Sequence, residues 1–336
     1  MPIDTSAPVA GKRTAGHRRQ DGDALVPFEA LRILLVVNSF ASSVTARNTV
    51  IVQRELSRDH DVEMVETNRR GHATRFAQDA ARREVDVVVG FGGDGTLNEV
   101  ATGIARTNSA LGVLPGGSTN VFARTLGMPN DPVASVKLLT TALRTHETSI
   151  SPIGLGRVNG RYFCFHTGIG YDAAVVRSVE KRASIKRWAG HPLFIGAALA
   201  TWVRYDRQEP HFRLRFDDDH EVDDGFFTIV LNTNPYTYLG NLPLDLSAAA
   251  GLDQPLVVIT FRTMAAHSII GSLAGALRGG GIKPRTYLDE HRAVSGLTVE
   301  HERPFPYQVD GDFLGETTSL RFEYVPDAVR LVRIMP

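Results

Sequence analysis

Between Leu31 and about Glu147 the chain repeats one pattern: a short apolar run, a turn, then apolar residues at helical spacing. "LRILLVVN" is a continuous apolar run ending at Asn38, which predicts a strand buried on both faces. "TARNTVIVQRELSR" places its apolar residues for one face of a helix. The same alternation returns in "DVEMVET" with "GHATRFAQDAARRE", in "DVVVG" with "LNEVATGIAR", and in "ALGVLP" with "VFARTLG". "DPVASVKLLTTALR" predicts one further helix. Alternating strands and helices imply a parallel sheet covered on both faces. Ligands of such folds sit at the carboxyl ends of the strands, and "NSFAS", "ETN", "GFGGDGT" and "PGGSTN" all fall there.

After Thr148 the period changes. Asn159-Gly160 lies between alternating residues in "GRVNGRYFCFHTG", a hairpin signal. "HFRLRF", "GFFTIVLN", "PLVVITFR", "GLTVEHE", "PYQVDGDFLG" and "SLRFEYV" predict short strands, interrupted by helices around Tyr171 to Tyr205 and Met264 to Arg278. The fold class expected is therefore α/β: a three-layer parallel-sheet domain over 31–150, then a mostly antiparallel β-sandwich or twisted open sheet over 151–325. The linker is expected near Ser149 to Gly154, and the last strand, within 326–336, is free to join either domain.

Residues 1–30 are rich in Pro, Gly, Ala and charge, and are expected to form a disordered tail. They contain no apolar run of signal-peptide length. The longest apolar stretch, "PLFIGAALATWV", is too short to span a bilayer, which needs about 18 to 20 residues. Lys+Arg and Asp+Glu number 37 each, so net charge points to no nucleic-acid partner. The single cysteine, Cys164, excludes an intramolecular disulfide and fits a reducing cytoplasm.

Gly90, Gly92 and Gly95 satisfy the G-x-G-x-x-G spacing between a strand and a helix. A dinucleotide fold wants an acid about twenty residues on, and none stands between Glu99 and Asp131. No Lys-Ser/Thr pair closes the loop either, so it is not a Walker loop. Glycines allow backbone N–H groups to close on phosphate oxygens, helped by the helix dipole. A carboxylate in that cradle, Asp94, makes sense if a Mg²⁺ intervenes or if Asp94 shapes the turn as a helix cap. A second loop, Gly116 to Asn120, adds donors at the next strand end and suits a polyphosphate.

"GGDGTLNEVATGI" followed by "LGVLPGGSTNVFARTLG" resembles the catalytic domain of diacylglycerol kinase and its bacterial lipid kinase relatives, the sphingosine and ceramide kinases included. "VVNSF", "TNRRGHA" and "QVDGDFLG" extend the resemblance over most of the chain. It implies a nucleotide-binding domain, a β-rich lipid-substrate domain, a cleft between them, and a terminal strand that returns to the first domain. It implies ATP contacts at Asn38, Thr67, Gly92, Gly93, Asp94, Gly95, Thr96, Gly117, Ser118, Thr119 and Asn120, with Glu99 facing the site. It also implies catalytic carboxylates at Asp94, Asp310 and Asp312, Asp310 being the general-base candidate; from the residues alone Asp310-Gly311 reads as a hairpin turn. Asp312 replaces the family's glutamate, "NSFAS" lacks the usual proline and glycine, and Ser43 stands where a lysine is common. A structural Mg²⁺ is implied at Asp253, although Gln254 replaces the glycine of that motif.

Basic residues Arg177, Lys181, Arg182, Lys186, Arg187, Arg204 and Arg207 flank an apolar segment carrying Trp188 and Trp202. That composition suits either peripheral contact with an anionic membrane or a helix packed on the β domain. "DDDHEVDD" reads as a solvated hairpin turn rather than a metal site. The expected activity is ATP- and Mg²⁺-dependent phosphorylation of a diacylglycerol-like or sphingoid-like lipid, in the cytoplasm at the inner membrane face. The alternatives are a soluble NAD kinase-like enzyme, against which Asn120-Val121-Phe122 argues, and a catalytically weak nucleotide- or lipid-binding relative. The oligomeric state, a homodimer included, is not written in these residues.

Overall fold

The computed structural model describes residues 15–17, 27–181, 196–209 and 211–334. Two short strands, β1 (Ala15–His17) and β2 (Pro27–Glu29), pair antiparallel, so part of the expected tail carries a ladder. The alternating region follows as β3 (Arg32–Val37), α1 (Ala46–Leu56), β4 (Asp61–Glu66), α2 (His72–Arg82), β5 (Val87–Gly92), α3 (Asp94–Ile104), β6 (Ala110–Pro115), α4 (Val121–Thr125) and α5 (Pro132–Arg144). Capping agrees with the sequence at two starts: Thr45 accepts from the Asn48 N–H, and Asp131 from the Ala134 N–H just before Pro132.

Next come α6 (His146–Ser149), β7 (Ile150–Val158), β8 (Arg161–Phe163), β9 (His166–Gly170) and α7 (Tyr171–Glu180). A helix described over 196–204 is α8. The remainder is β10 (Phe212–Phe216), β11 (Glu221–Gly225), β12 (Phe227–Leu231), β13 (Thr237–Leu239), β14 (Leu242–Leu244), β15 (Leu256–Phe261), α9 (Ala266–Leu277), β16 (Leu288–Val294), β17 (Gly296–Val309) and β18 (Asp312–Val332).

Strands β6, β5, β3 and β4 lie side by side and parallel, while the later strands pair antiparallel. The protein is thus α/β, with parallel strands first and antiparallel strands after. One hydrogen-bonded path runs β16-β15-β12-β9-β17-β18-β6-β5-β3-β4. β18 makes this continuity: its first part pairs with β17, and Arg330 and Leu331 near its end pair in parallel with Ala110 and Leu111 of β6. β18 bends between Val325 and Val329, where Asp327 takes a positive φ of 49°.

Two expectations are corrected here. Ser149 to Gly154 is not an open linker: Ile150 onward is β7, paired with β18 from Ile150–Val332 to Ile153–Val329. Buried Ile153 and Leu155 outweigh Ser151, Pro152 and Gly154 beside them. "GLTVEHE" and "PYQVDGDFLG" do not start separate strands either. β17 runs through the first and on through the "PYQV" of the second, absorbing Arg303-Pro304 in a register shift between Glu300 and Phe305, before the Asp310-Gly311 turn opens β18.

Helices α1 and α5 pack together, as do α2 and α3. Gly103 permits the second contact, since a Cβ there would fall 2.5 Å from Ala77 Cβ and 2.6 Å from the Thr74 carbonyl. In the antiparallel half β12 and β15 are buried on both faces. Val230 and Val258 enter one core, while Ile229, Leu231, Val257 and Ile259 enter another. No helix among the described residues is long and apolar enough to cross a membrane.

Candidate active site

Three strand-end loops are stitched to one another by backbone and short side chains. After β5, Gly92 accepts from the Gly116 N–H at 2.7 Å, joining the first glycine loop to the second. A Cβ on Gly92 would lie 2.5 Å from Thr96 Oγ1, and one on Gly116 would lie 2.7 Å from Gly92 Cα, so neither position admits a side chain. After β3, Asn38 Nδ2 donates to Thr96 Oγ1 at 3.0 Å. In the same "NSFAS" loop, the Ser43 N–H donates to the Gly116 carbonyl at 2.8 Å and its hydroxyl to the Gly117 carbonyl at 3.2 Å. Thr67, buried at the end of β4, donates its N–H to the Val37 carbonyl.

Asn120 is buried with a left-handed φ of 51°. Its Oδ1 accepts from the Gly117 N–H at 2.7 Å and its Nδ2 donates to the Gly117 carbonyl at 2.8 Å, so the side chain holds the second loop from within. Ser118 is exposed and Thr119 half-buried at the rim, with Gly93 and Gly95 opening beside them.

The acids implied for the site divide sharply by what they touch. Asp94 accepts from the Val121 and Phe122 N–H groups at 3.0 Å each, capping α4. Burial pushes its carboxyl above the usual range, against the pull of those donors. Glu99 likewise points to α2, accepting from the Gly71 N–H at 2.8 Å and the Ala73 N–H at 3.1 Å. Asp310 occupies the first turn position of a two-residue hairpin with Gly311, both at positive φ. Its carboxylate turns inward and accepts from the N–H groups of Cys164, Phe165 and His166 and from Asn98 Nδ2. Burial raises this carboxyl to about 7 despite the donors.

Asp312 differs from all three. It is partly exposed, and the Cβ of an added residue at Gly95 would sit 3.5 Å from its Oδ2. Arg70 approaches its Oδ1 at 3.4 Å and Arg161 its Oδ2 at 3.8 Å. Arg70 also reaches Glu180 at 3.6 Å, and Glu180 accepts from the Phe313 N–H at 3.1 Å. Asp312 therefore faces the start of α3 at Gly95, with two guanidinium groups beside it. That helix begins at Gly93 with no side chain capping it, which leaves its positive end available to an anion.

Arg70, Arg161 and Asn98 were not singled out from the sequence. Arg70 lies within "TNRRGHA" and Asn98 within "GGDGTLNEV", so the motifs contained them without marking them. Arg161 follows the Asn159-Gly160 turn, and only the β7–β8 hairpin brings it to the cleft.

For a nucleotide, the donors at the loop rim and the open end of α3 fit. For Mg²⁺, Asp94 has both oxygens engaged, leaving Asp312 as the accessible carboxylate; one carboxylate with substrate phosphates is an ordinary Mg²⁺ environment. Asp253 does not fit a structural metal: its carboxylate grips Arg333, at 2.5 Å and 3.1 Å. Among the described residues no group of three or more His, Cys, Asp or Glu is placed to hold an ion. In "DDDHEVDD", Asp217 pairs with Arg321, Asp218 with His291, and Asp224 with Arg262, as suits an exposed hairpin. Arg182, Lys186, Arg187 and Trp188 lie outside the described residues.

Residues 32–157 match the diacylglycerol kinase catalytic domain. A Pseudomonas aeruginosa protein named "Probable lipid kinase YegS-like" is 28% identical over 303 residues, 89% of this chain and 93% of its own. The diacylglycerol kinase of Bacillus subtilis is 42% identical over 106 residues, 30% of this chain and 32% of its own. A solved structure described as a diacylglycerol kinase of Bacillus anthracis shares the fold, with a TM-score of 0.66 at 20% identity over 90% of this chain and 96% of its own.

Proposed function

Residues 32–157 belong to the diacylglycerol kinase catalytic-domain family, and from that premise we propose that the protein is an ATP-dependent lipid kinase. It transfers the γ-phosphoryl group to a hydroxyl of a diacylglycerol-like or sphingoid-like lipid, at the inner face of the cytoplasmic membrane. The observation that carries this reading is the position of Asp312, an accessible carboxylate opposite the uncapped start of α3.

Phosphoryl transfer asks little covalent chemistry of a protein; positioning and charge neutralisation do most of it. The loop rim formed by Gly93, Gly95, Ser118 and Thr119 supplies backbone and hydroxyl donors for the phosphates, while the Gly117 N–H is held by Asn120. Arg70 and Arg161 supply positive charge beside the transferring group. Asp312 accepts the proton of the attacking hydroxyl as the new O–P bond forms and the bond to the bridging β–γ oxygen breaks, releasing ADP. Mg²⁺ brought by the nucleotide would be held chiefly by the phosphates, within reach of Asp312, and would neutralise phosphate charge. Asp310, with four donors on its carboxylate, positions the hairpin that presents Asp312. Asp94 and Glu99 are assigned the same kind of work at the starts of α4 and α2.

The test uses purified protein, γ-labelled ATP, Mg²⁺ and mixed micelles carrying a panel of lipids, with Asp312→Asn in parallel. Label in one lipid class, reduced about 10³-fold in the variant, is the expected result, given the typical share of a general base. Nucleotide binding without label in any lipid would overturn the lipid kinase reading, and a soluble acceptor would then be tried.

A further inference from the structure

Helix α9 is built inside out. Its buried residues are Ser268, Ser272 and Ala276, with Ile269 partly buried against the core, while Ile270, Leu273 and Leu277 face outward. Ile270 is 65% exposed, and Ser272 Oγ is buried without a hydrogen-bond partner. A helix that rests on the protein mostly through small residues and shows three branched aliphatic ones to solvent reverses the usual arrangement. Helix α8 adds to the same feature, with Leu199 64% and Val203 67% exposed. The two helices meet where Trp202 Nε1 donates to the Met264 carbonyl, just before α9 begins. Of the nine large apolar side chains exposed among the described residues, these five fall on two helices, so the clustering is not scattered surface hydrophobicity.

Exposed cations lie beside this face. Arg204, Arg278, Lys283 and Arg285 are exposed, and among the described residues none of them has a carboxylate partner. Arg207 lies over the Trp202 ring at 4.1 Å. Asp206 and Asp245 lie in the same stretches; they accept from the Gln208 N–H and from Asn234 Nδ2, and neither is ion-paired with these cations. Apolar residues rimmed by unpaired cations match the headgroup and acyl layers of an anionic bilayer. A second copy of the chain fits less well, because a two-fold interface would bring the same cationic rim against itself.

The face is also close to the cleft. Tyr171, at the start of α7, donates its hydroxyl to the Ala198 carbonyl of α8 at 2.7 Å. Glu180, at the other end of α7, accepts from the Phe313 N–H beside Asp312. The ten residues of α7 span about 15 Å at 1.5 Å each. We infer that the α8–α9 face is the surface by which this protein docks on anionic lipid bilayers, with α7 linking that face to the hairpin that carries Asp312. The inference deepens the lipid kinase reading, and membrane binding measured without ATP separates the two.

The experiment is co-sedimentation of the full chain with phosphatidylglycerol or phosphatidylcholine vesicles, without nucleotide. The variants are Ile270→Ser/Leu273→Ser/Leu277→Ser and Arg278→Glu/Lys283→Glu, each checked for an unchanged thermal midpoint and examined by light scattering. Expected are binding to phosphatidylglycerol in preference to phosphatidylcholine, a loss of at least tenfold in the triple serine variant, and a several-fold, salt-sensitive loss in the charge-reversal variant. Equal binding by wild type and triple variant, or no vesicle binding by wild type, would overturn the docking surface. So would a triple variant that turns a dimer into a monomer while still binding vesicles, which would assign the face to self-association. A lipid kinase assay that fails while vesicle binding follows the expected pattern would count against the enzyme reading alone.

Discussion

The parallel and antiparallel halves furnish the cleft by opposite means. In the parallel half the cleft floor is backbone, and its acids are turned inward to hold helices. Asp94 caps α4 and Glu99 holds the first turn of α2. In the antiparallel half a hairpin turn two residues long anchors itself through Asp310 and leaves Asp312 facing outward between Arg70 and Arg161. A substitution in the first half should therefore act through folding, and one at Asp312 through chemistry, although all these residues crowd one cleft.

The sharpest contrast is between Asp312 and its neighbour two residues away. Asp312→Asn keeps the size of the side chain and removes the proton acceptor, so turnover should fall about 10³-fold with the urea midpoint unmoved. A variant that unfolds early, or one with full turnover, would place Asp312 with the structural acids instead. Asp310→Asn should do the reverse. It sets an amide N–H₂ against groups that are all donors, so the loss appears first in stability.

Asp310 also carries a pH signature. Its folded carboxyl titrates at about 7, raised by burial, against about 3.9 in an unfolded chain. Between these values the folded state holds the proton more tightly, so this contribution is fully present below the lower value and is lost as pH rises towards 7. Asparagine has no such slope. The stability gap between wild type and Asp310→Asn should narrow from pH 5 to pH 7.5 in denaturant midpoints measured at each pH. A gap that stays constant or widens would show that the four donors keep Asp310 ionised throughout.

Asp94→Ala tests the parallel half directly. It leaves two backbone N–H groups at the start of α4 without their acceptor, a loss of about 2 kcal/mol by analogy with other capping and buried hydrogen-bond deletions. Urea unfolding measures it, and nucleotide binding should weaken along with it as the second loop loosens. Lost turnover at unchanged stability would assign Asp94 a chemical role and erase the contrast between the halves.

Strand and helix order in the first half were legible because β3, β5 and β6 are buried on both faces, with β4 the partly buried edge, and the helices between them alternate with these runs. β3, β5 and β6 read directly from "LRILLVV", "VVVGFG" and "ALGVLP". What sequence did not reveal was set by long-range pairing. β18 spans both halves because its far end meets β6, over two hundred residues earlier in the chain, and no local period records that. The site followed the same division. The glycine loops are local and were found as motifs. The direction of each carboxylate depends on which N–H groups lie nearby in space, so Asp310 and Asp312 could not be told apart by type or spacing. Arg161 reaches the cleft only through the β7–β8 turn, and Asn98 matters only because the hairpin folds onto it.

Arg70 gives the smallest effect and the most selective one. Its side chain is 69% exposed, and its contacts with Asp312 and Glu180 are 3.4 Å and 3.6 Å long. Exposed pairs of that kind contribute about 0 to 1 kcal/mol to folding, so Arg70→Ala should leave the thermal midpoint nearly in place. If the guanidinium leaves Asp312 for a phosphate when nucleotide binds, the same variant should raise the KM for ATP several-fold, with a smaller change in kcat. Added salt should shrink the difference, since the attraction is screened at the cleft mouth. An unchanged KM would mean that Arg70 merely neutralises Asp312 at rest, and Arg161, at 3.8 Å on the other oxygen, would remain as the cation beside the transferring group.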